Sequence, residues 1–146
     1  MMLKYLRKLA VLFVIGGGLY TIIEVVWRAL RGSTPTHWSM FIVGGLAFVL
    51  IGGINEFLTY DMPLVFQCAV GAVIVTGLEF VAGCILNLWL KLNVWDYSTM
   101  PGNVLGQICP QFMAAWFLLT GVAILLDDYI RYWFFDEEKP HYTFLK

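Results

Sequence analysis

The chain has 146 residues, of which 60% are hydrophobic, 16% aromatic and only 13% charged, where a soluble domain usually carries roughly a quarter charged residues. A water-soluble fold of this length would leave large apolar patches exposed, whereas a bilayer accepts them as long as the backbone is satisfied internally, as it is in helices. The formal net charge is -1 and the nine Lys and Arg are scattered, which excludes a basic phosphate-binding face and with it a nucleic-acid partner.

These values predict an all-α, polytopic integral membrane protein of about four transmembrane helices, forming a single transmembrane domain over residues 1–146. The first helix is expected at about 9–27, after Lys4, Arg7 and Lys8. Its apolar run continues to Trp27 with no small-x-small site where a signal peptide would be cut, so it reads as a span. Gly32 and Pro35 break the next stretch, and Thr34 or Thr36 is placed to cap a second helix at about 38–57. Both runs are close to the ~20 residues that cross ~30 Å of hydrocarbon.

The third helix is expected at about 63–90, opening on Pro63 after a turn marked by Thr59 and Asp61 and ending before Lys91. Residues 93–102 then collect Trp95, Asp96, Tyr97, Ser98, Pro101 and Gly102, the composition of a loop at headgroup level. No strong stop follows until Phe135, although a helix over 103–135 would be about 50 Å long, more than a bilayer needs. Pro110 is the natural place for a kink or a broken start. The fourth helix is expected at about 103–126, its spanning part at about 108–126, with Asp127, Asp128 and Arg131 outside the hydrocarbon, then an anchor of Tyr129, Tyr132 and Trp133 and a tail to 146.

In this four-helix arrangement Lys4, Arg7, Lys8, Arg131, Lys139 and Lys146 share one side and Arg28, Arg31 and Lys91 the other, so both termini are expected to be cytoplasmic. Cys68, Cys84 and Cys109 all lie in apolar runs and read as membrane-buried thiols. Glu24 and Glu79 stand in similar apolar settings, and Trp38-Ser39 and the Trp95–Ser98 block follow them at corresponding places. That correspondence suggests two pseudo-symmetric helical hairpins, repeated in the same orientation.

An acid inside a span costs at least about 2.5 kcal/mol at the helix centre and normally faces protein or water. Glu79 is the sharpest instance, 16 residues in from Pro63 and 12 short of Lys91. Glu24 lies nearer a helix end and can pair with Arg28 at i+4. Because successive spans alternate direction, Glu24, Glu79 and the loop with Trp95, Asp96, Tyr97, Ser98 and Asn103, together with Gln107, are expected at one pole, and Glu56, Asp61 and Asp127 at the other. These residues define a candidate binding pocket for a small polar solute or lipid headgroup, with Glu79 as its acceptor. The plainer reading makes the acids structural, with Glu79 hydrogen-bonded to Trp95, Tyr97 or Asn103 so as to hold the loop on the bundle.

Glu56 reads as an interfacial residue with no special role, and His37 as a linker residue, because no metal-ligand spacing surrounds it. Gly44 and Gly52, or Gly45 and Gly53, mark a helix-packing stripe. No phosphate loop ending in Gly-Lys-Ser or Gly-Lys-Thr is present, and neither His-Glu-x-x-His nor Gly-x-Ser-x-Gly occurs. We therefore expect no catalytic residues, metal site or cofactor, and no enzyme; a lipid-modifying enzyme using Glu79 or Asp96 would lack a nucleophile.

The block Trp95-Asp96-Tyr97-Ser98, followed by Asn103, Gly106, Ile108-Cys109 and Trp116 and preceded by Glu79-Phe80 and Gly83, resembles the family labelled putative ABC-transporter permease of the CmpB type. Glu24 and Trp38-Ser39 fit the same pattern, and the resemblance runs from about residue 20 to 128. It implies a transport component that works with a separate ATPase, as a homo-oligomer or as a subunit of a larger membrane complex in contact with lipid. The alternative from another class is a non-transporting scaffold or lipid-binding protein.

Overall fold

The structure is a computed structural model that describes residues 2–58 and 60–145. Thr59, one of the expected turn residues, and Lys146, one of the tail charges, lie outside the described residues. The elements in chain order are α1 (Met2–Arg31), α2 (Ser39–Gly52), the short α3 (Ile54–Phe57), α4 (Leu64–Gly83) continued by a π-helical stretch (Cys84–Trp89), and α5 (Pro110–Phe135). Among the described residues there are four helical segments long and apolar enough to cross a membrane: Met2–Arg31, Ser39–Phe57, Leu64–Trp89 and Pro110–Phe135. The protein is an all-α integral membrane protein.

The chain forms two compact units, Met1–Val49 and Leu50–Lys146, and the division falls inside α2. In the first unit, helices α1 and α2 approach through small residues. A Cβ on Gly16 would run into the Phe48 side chain, and one on Gly44 into Tyr20 Cβ at 2.5 Å. Phe13 and Phe41 meet edge to face with ring centroids 6.0 Å apart. The Gly44/Gly45 stripe is thus a packing face turned to α1. Neither Thr34 nor Thr36 caps α2: Thr34 accepts from Arg28 through its carbonyl and its hydroxyl. The Ser39 N–H instead donates to His37 Nδ1 at 3.3 Å, and the Met40 N–H to the His37 carbonyl at 3.0 Å.

In the second unit, α4 and α5 run antiparallel, as their paired contacts show. Gly71 abuts Thr120 and Cys68 Sγ lies 3.1 Å from where a Cβ on Gly121 would stand. Around them Ile51, Ile54, Leu64, Cys68 and Ile124 form the buried apolar core. All three cysteines are free, with Cys68 and Cys109 buried.

The fourth long helix begins and ends later than the sequence reading placed it. Residues 103–109 are loop, and Pro110 is the first helical residue, with Cys109 in extended conformation before it. At that position the missing proline N–H is one the helix would have left unpaired, and the fixed φ is already helical, so Pro110 starts the helix instead of kinking it. The other end runs to Phe135 and stops at Asp136, which adopts φ 53°.

Candidate functional site

Glu79 lies about one turn from the end of the regular part of α4 and is 7% exposed. Its Oε1 accepts the Tyr97 hydroxyl at 2.9 Å and its Oε2 the Trp116 indole N–H at 2.9 Å. One donor comes from the loop at 93–109 and the other from α5, so the carboxylate joins three segments of the unit. Tyr97 is held in turn by a parallel stack on Phe112, with centroids 4.6 Å apart and planes 14° apart.

The π-helical stretch explains how α4 meets the loop. A π turn inserts one residue and rotates the side chains after it, a distortion found mostly as single turns at functional positions. Here it buries Asn87, which donates to Gln107 Oε1 at 2.8 Å and accepts the Val94 N–H at 2.7 Å. Gln107 donates onward to the Leu105 carbonyl at 2.9 Å and, through its own carbonyl, accepts the Trp95 indole N–H at 3.0 Å. Gly83 permits this close seat, because a Cβ there would lie 2.5 Å from Gln107 Oε1 and 3.1 Å from the Trp95 ring.

The remaining motif residues shape the loop itself. Asp96 Oδ1 accepts the Ser98 N–H at 2.8 Å, closing an Asx turn whose two residues are solvent-exposed. Asn103 donates to the Ser98 and Met100 carbonyls and accepts the Gly106 N–H at 2.9 Å. Tyr97 N–H donates to the Gly106 carbonyl at 2.7 Å, across a position where φ is +70° and a Cβ would stand 2.9 Å from Asp96 Oδ1. The Trp-Asp-Tyr-Ser block is therefore a folded turn closed on Gly106, with Tyr97 its inward arm.

Of the seven residues singled out from the sequence, Glu79 and Tyr97 touch through their side chains. The side chains of Trp95, Asp96 and Asn103 bond to backbone of the same loop, and Ser98 takes part through its own N–H and carbonyl. Glu24 belongs to the first unit, where its Oε1 accepts Arg28 Nε at 2.6 Å, the expected i+4 pair. Trp116 and Asn87 received no role in the sequence reading, although Trp116 stood in the motif. Its spacing from Phe112, one helical turn, marks the α5 face that meets Tyr97 and Glu79.

A second polar cluster occupies the other end of the same unit. Arg131, 3% exposed, donates from Nε to Asp127 Oδ2 at 2.5 Å and from Nη1 to Glu56, with Glu137 at 3.9 Å. Asp128, 2% exposed, accepts Asn55 Nδ2 at 2.6 Å and the Tyr142 hydroxyl at 2.7 Å. The sequence reading set Asp127, Asp128 and Arg131 outside the hydrocarbon and left Glu56 without a role. In the structure all three are buried side chains of a helix that continues past them, and Glu56 is a partner of the guanidinium. The tail folds back over this cluster: the Thr143 carbonyl accepts the Leu64 N–H at 2.7 Å at the start of α4, and Tyr60 packs tilted against His141 and edge to face with Tyr142.

Four apolar spans and an intramembrane carboxylate tied to a folded loop define a small polytopic helical membrane protein. Residues 10–142 match the family described as Putative ABC-transporter type IV, and the chain belongs to that family. No curated protein and no solved structure matches it.

Proposed function

We propose that the chain is a membrane-embedded component of a transporter complex, energised by a separate ATPase, in which Glu79 is the acceptor for a small polar solute or a lipid headgroup. The observation that carries this reading is a span carboxylate bonded by two neutral donors, Tyr97 and Trp116, each from a different segment. A buried acid of this kind marks solute or ion paths in membrane proteins. A solute ammonium or hydroxyl would compete with the Tyr97 phenol for Oε1, so that loading the site and releasing the loop become one event. Trp95, Asp96, Ser98 and Asn103 then act by fixing the shape of the loop that moves, and Glu24 with Arg28 forms a second polar position in the other unit. The 146 residues hold no phosphate loop, so ATP hydrolysis would come from elsewhere in the complex. Both termini face the cytoplasm in this reading, and the complex holds further copies or subunits in contact with lipid.

The test is native mass spectrometry of the detergent-purified protein beside proteoliposomes loaded with a mixture of small amines and polyols, for wild type and Glu79→Gln. A retained small molecule and a leak of selected solutes, both lost in Glu79→Gln while the fold persists, support the assignment. Identical retention and flux in the two proteins reject it.

The scaffold reading is favoured by one observation: both carboxylate oxygens already serve as anchors for the loop and α5. It expects Glu79→Gln to lower thermal stability without changing any bound species.

A further inference from the structure

The cluster around Arg131 takes no part in the reading above, and its composition is one-sided. Glu56, Asp127 and Glu137 lie at one guanidinium and Asp128 adjoins them on α5, four formal negative charges against one positive. Asp127 Oδ1 has no hydrogen-bond donor, nor does Oδ1 of Asn55, whose amide nitrogen is on Asp128, nor Gln67 Oε1 on the facing helix α4. All three are acceptors, and both Asp127 and Gln67 are 0% exposed. A buried polar atom without a partner destabilises the fold, the more so when it is charged. What the cluster lacks is therefore positive charge, not an acceptor.

The placement of Gln67 agrees. With Gly71 against Thr120 and Cys68 against Gly121, Gln67 stands about one helical turn from the level of Asp127. Its Nε2 donates to the Met62 carbonyl at 2.9 Å, which draws the side chain back toward the turn before α4. That is the end where Tyr60 meets Tyr142 and Tyr142 reaches Asp128. The Asp127 carboxylate itself lies directly on the Cα of Gly52, where any larger residue would displace it.

We propose that this cluster binds one small monovalent cation, a proton or Na⁺, shared between Asp127 Oδ1 and the side-chain carbonyl oxygens of Gln67 and Asn55. A proton on Asp127 Oδ1 becomes a donor for an amide oxygen, and Na⁺ takes the same three oxygens as hard ligands; either supplies what the three atoms lack. Asp127 Oδ2 stays on Arg131, so the ion pair persists when the site is loaded. On α5 Arg131 pairs with Asp127 and Asp128 adjoins it; Glu56 of α3 shares the guanidinium, and Cys68 of α4 packs against Gly121. The tail contributes Glu137 and Tyr142, and the turn before α4 contributes Tyr60. Tyr142 is half-buried, which makes the tail the lid between this site and water.

The full chain in detergent is tested with radiolabelled Na⁺, and by thermal unfolding in sodium chloride against choline chloride at equal ionic strength. Without Na⁺, infrared spectra are compared at mildly acidic and mildly alkaline pH. For Na⁺, label binds to wild type, the midpoint rises with Na⁺, and Gln67→Met binds at least about tenfold more weakly. For a proton, Na⁺ has no effect, and a carboxylic-acid carbonyl band appears on acidification that Asp127→Asn lacks and Gln67→Met shifts. Should Asp127→Asn fail to fold, Gln67→Met decides, since it breaks no ion pair. The site is overturned if Na⁺ affinity and the carbonyl band are both unaltered in Gln67→Met, or if wild type shows neither.

Discussion

Glu79 and Trp116 are 37 residues apart in the chain and 2.9 Å apart in the structure, carboxylate oxygen to indole nitrogen. Trp116 is buried, so its N–H would otherwise have no water to turn to. Trp116→Phe keeps most of the ring and removes the donor. We expect a loss of about 1–3 kcal/mol, the cost of leaving a buried acceptor short of a charge-assisted bond. Tyr97→Phe should cost a similar amount at the other oxygen. The double variant should be worse than the two effects added, because the carboxylate then loses both neutral donors. Thermal unfolding in detergent measures all three, and midpoints equal to wild type would show that these bonds hold nothing in place.

The antiparallel contact of α4 with α5 rests on Gly71, whose added Cβ would fall on Thr120 Cγ2. Gly71→Ala gains helix propensity of up to about 1 kcal/mol but overpacks the contact, which typically costs about 1–3 kcal/mol. The collision should win, because Thr120 is 1% exposed and has no space to yield into. Thr120→Ser removes the colliding methyl and should restore much of the stability when combined with Gly71→Ala. Full stability of Gly71→Ala alone would mean that the helices separate without cost.

Much of this arrangement is legible in the residues. Four apolar runs of the right length foretell four spans, an isolated acid in the third foretells a buried carboxylate with protein partners, and Tyr97 is among the partners expected for it. The Glu24–Arg28 pair follows from i+4 spacing alone. The Arg131 cluster was illegible for a physical reason: Asp127, Asp128 and Arg131 stand at the end of an apolar run, where charges ordinarily meet water. Glu56, the partner that holds Arg131 in place, is 75 residues away. The spacing of Asp127 and Arg131, with apolar and aromatic residues continuing to Phe135, is the local sign that the helix goes on. The start of α5 was misplaced because Pro110 reads equally as a kink and as a first helical residue, and the folding of 103–109 onto Asn87 and Trp95 decides between them.

Arg131 is expected to be the most sensitive position in that cluster. Arg131→Met keeps the length and apolar stem while leaving Asp127 and Glu56 without their cation, and breaking a buried pair from one side costs about 3–5 kcal/mol. Arg131→Lys should be milder but still destabilising, since a single ammonium does not reproduce the guanidinium fork that reaches Asp127 through Nε and Glu56 through Nη1. The comparison is made by unfolding midpoint and by yield of folded protein in detergent. Arg131→Met as stable as wild type would mean that the acids compensate for each other by another route.

The tail adds a dependence on alkaline pH. Burial first, then the bond to Asp128 and its charge, push the Tyr142 hydroxyl well above the usual tyrosine range; burial and Asp128 raise Tyr60 in the same direction. Both lie outside the spans. An unfolded tyrosine ionises near pH 10. A group whose folded value is higher therefore gives its full stabilisation below about pH 10 and loses it progressively as the pH rises beyond. Wild type should accordingly show a midpoint that falls above about pH 10. Tyr142→Phe should be less stable at neutral pH by about 1–3 kcal/mol, the worth of a bond to a carboxylate, and its alkaline decline should be shallower because one ionising group is gone. An equally steep decline in Tyr142→Phe would place the alkaline sensitivity elsewhere and remove the tail from the ionic cluster it covers.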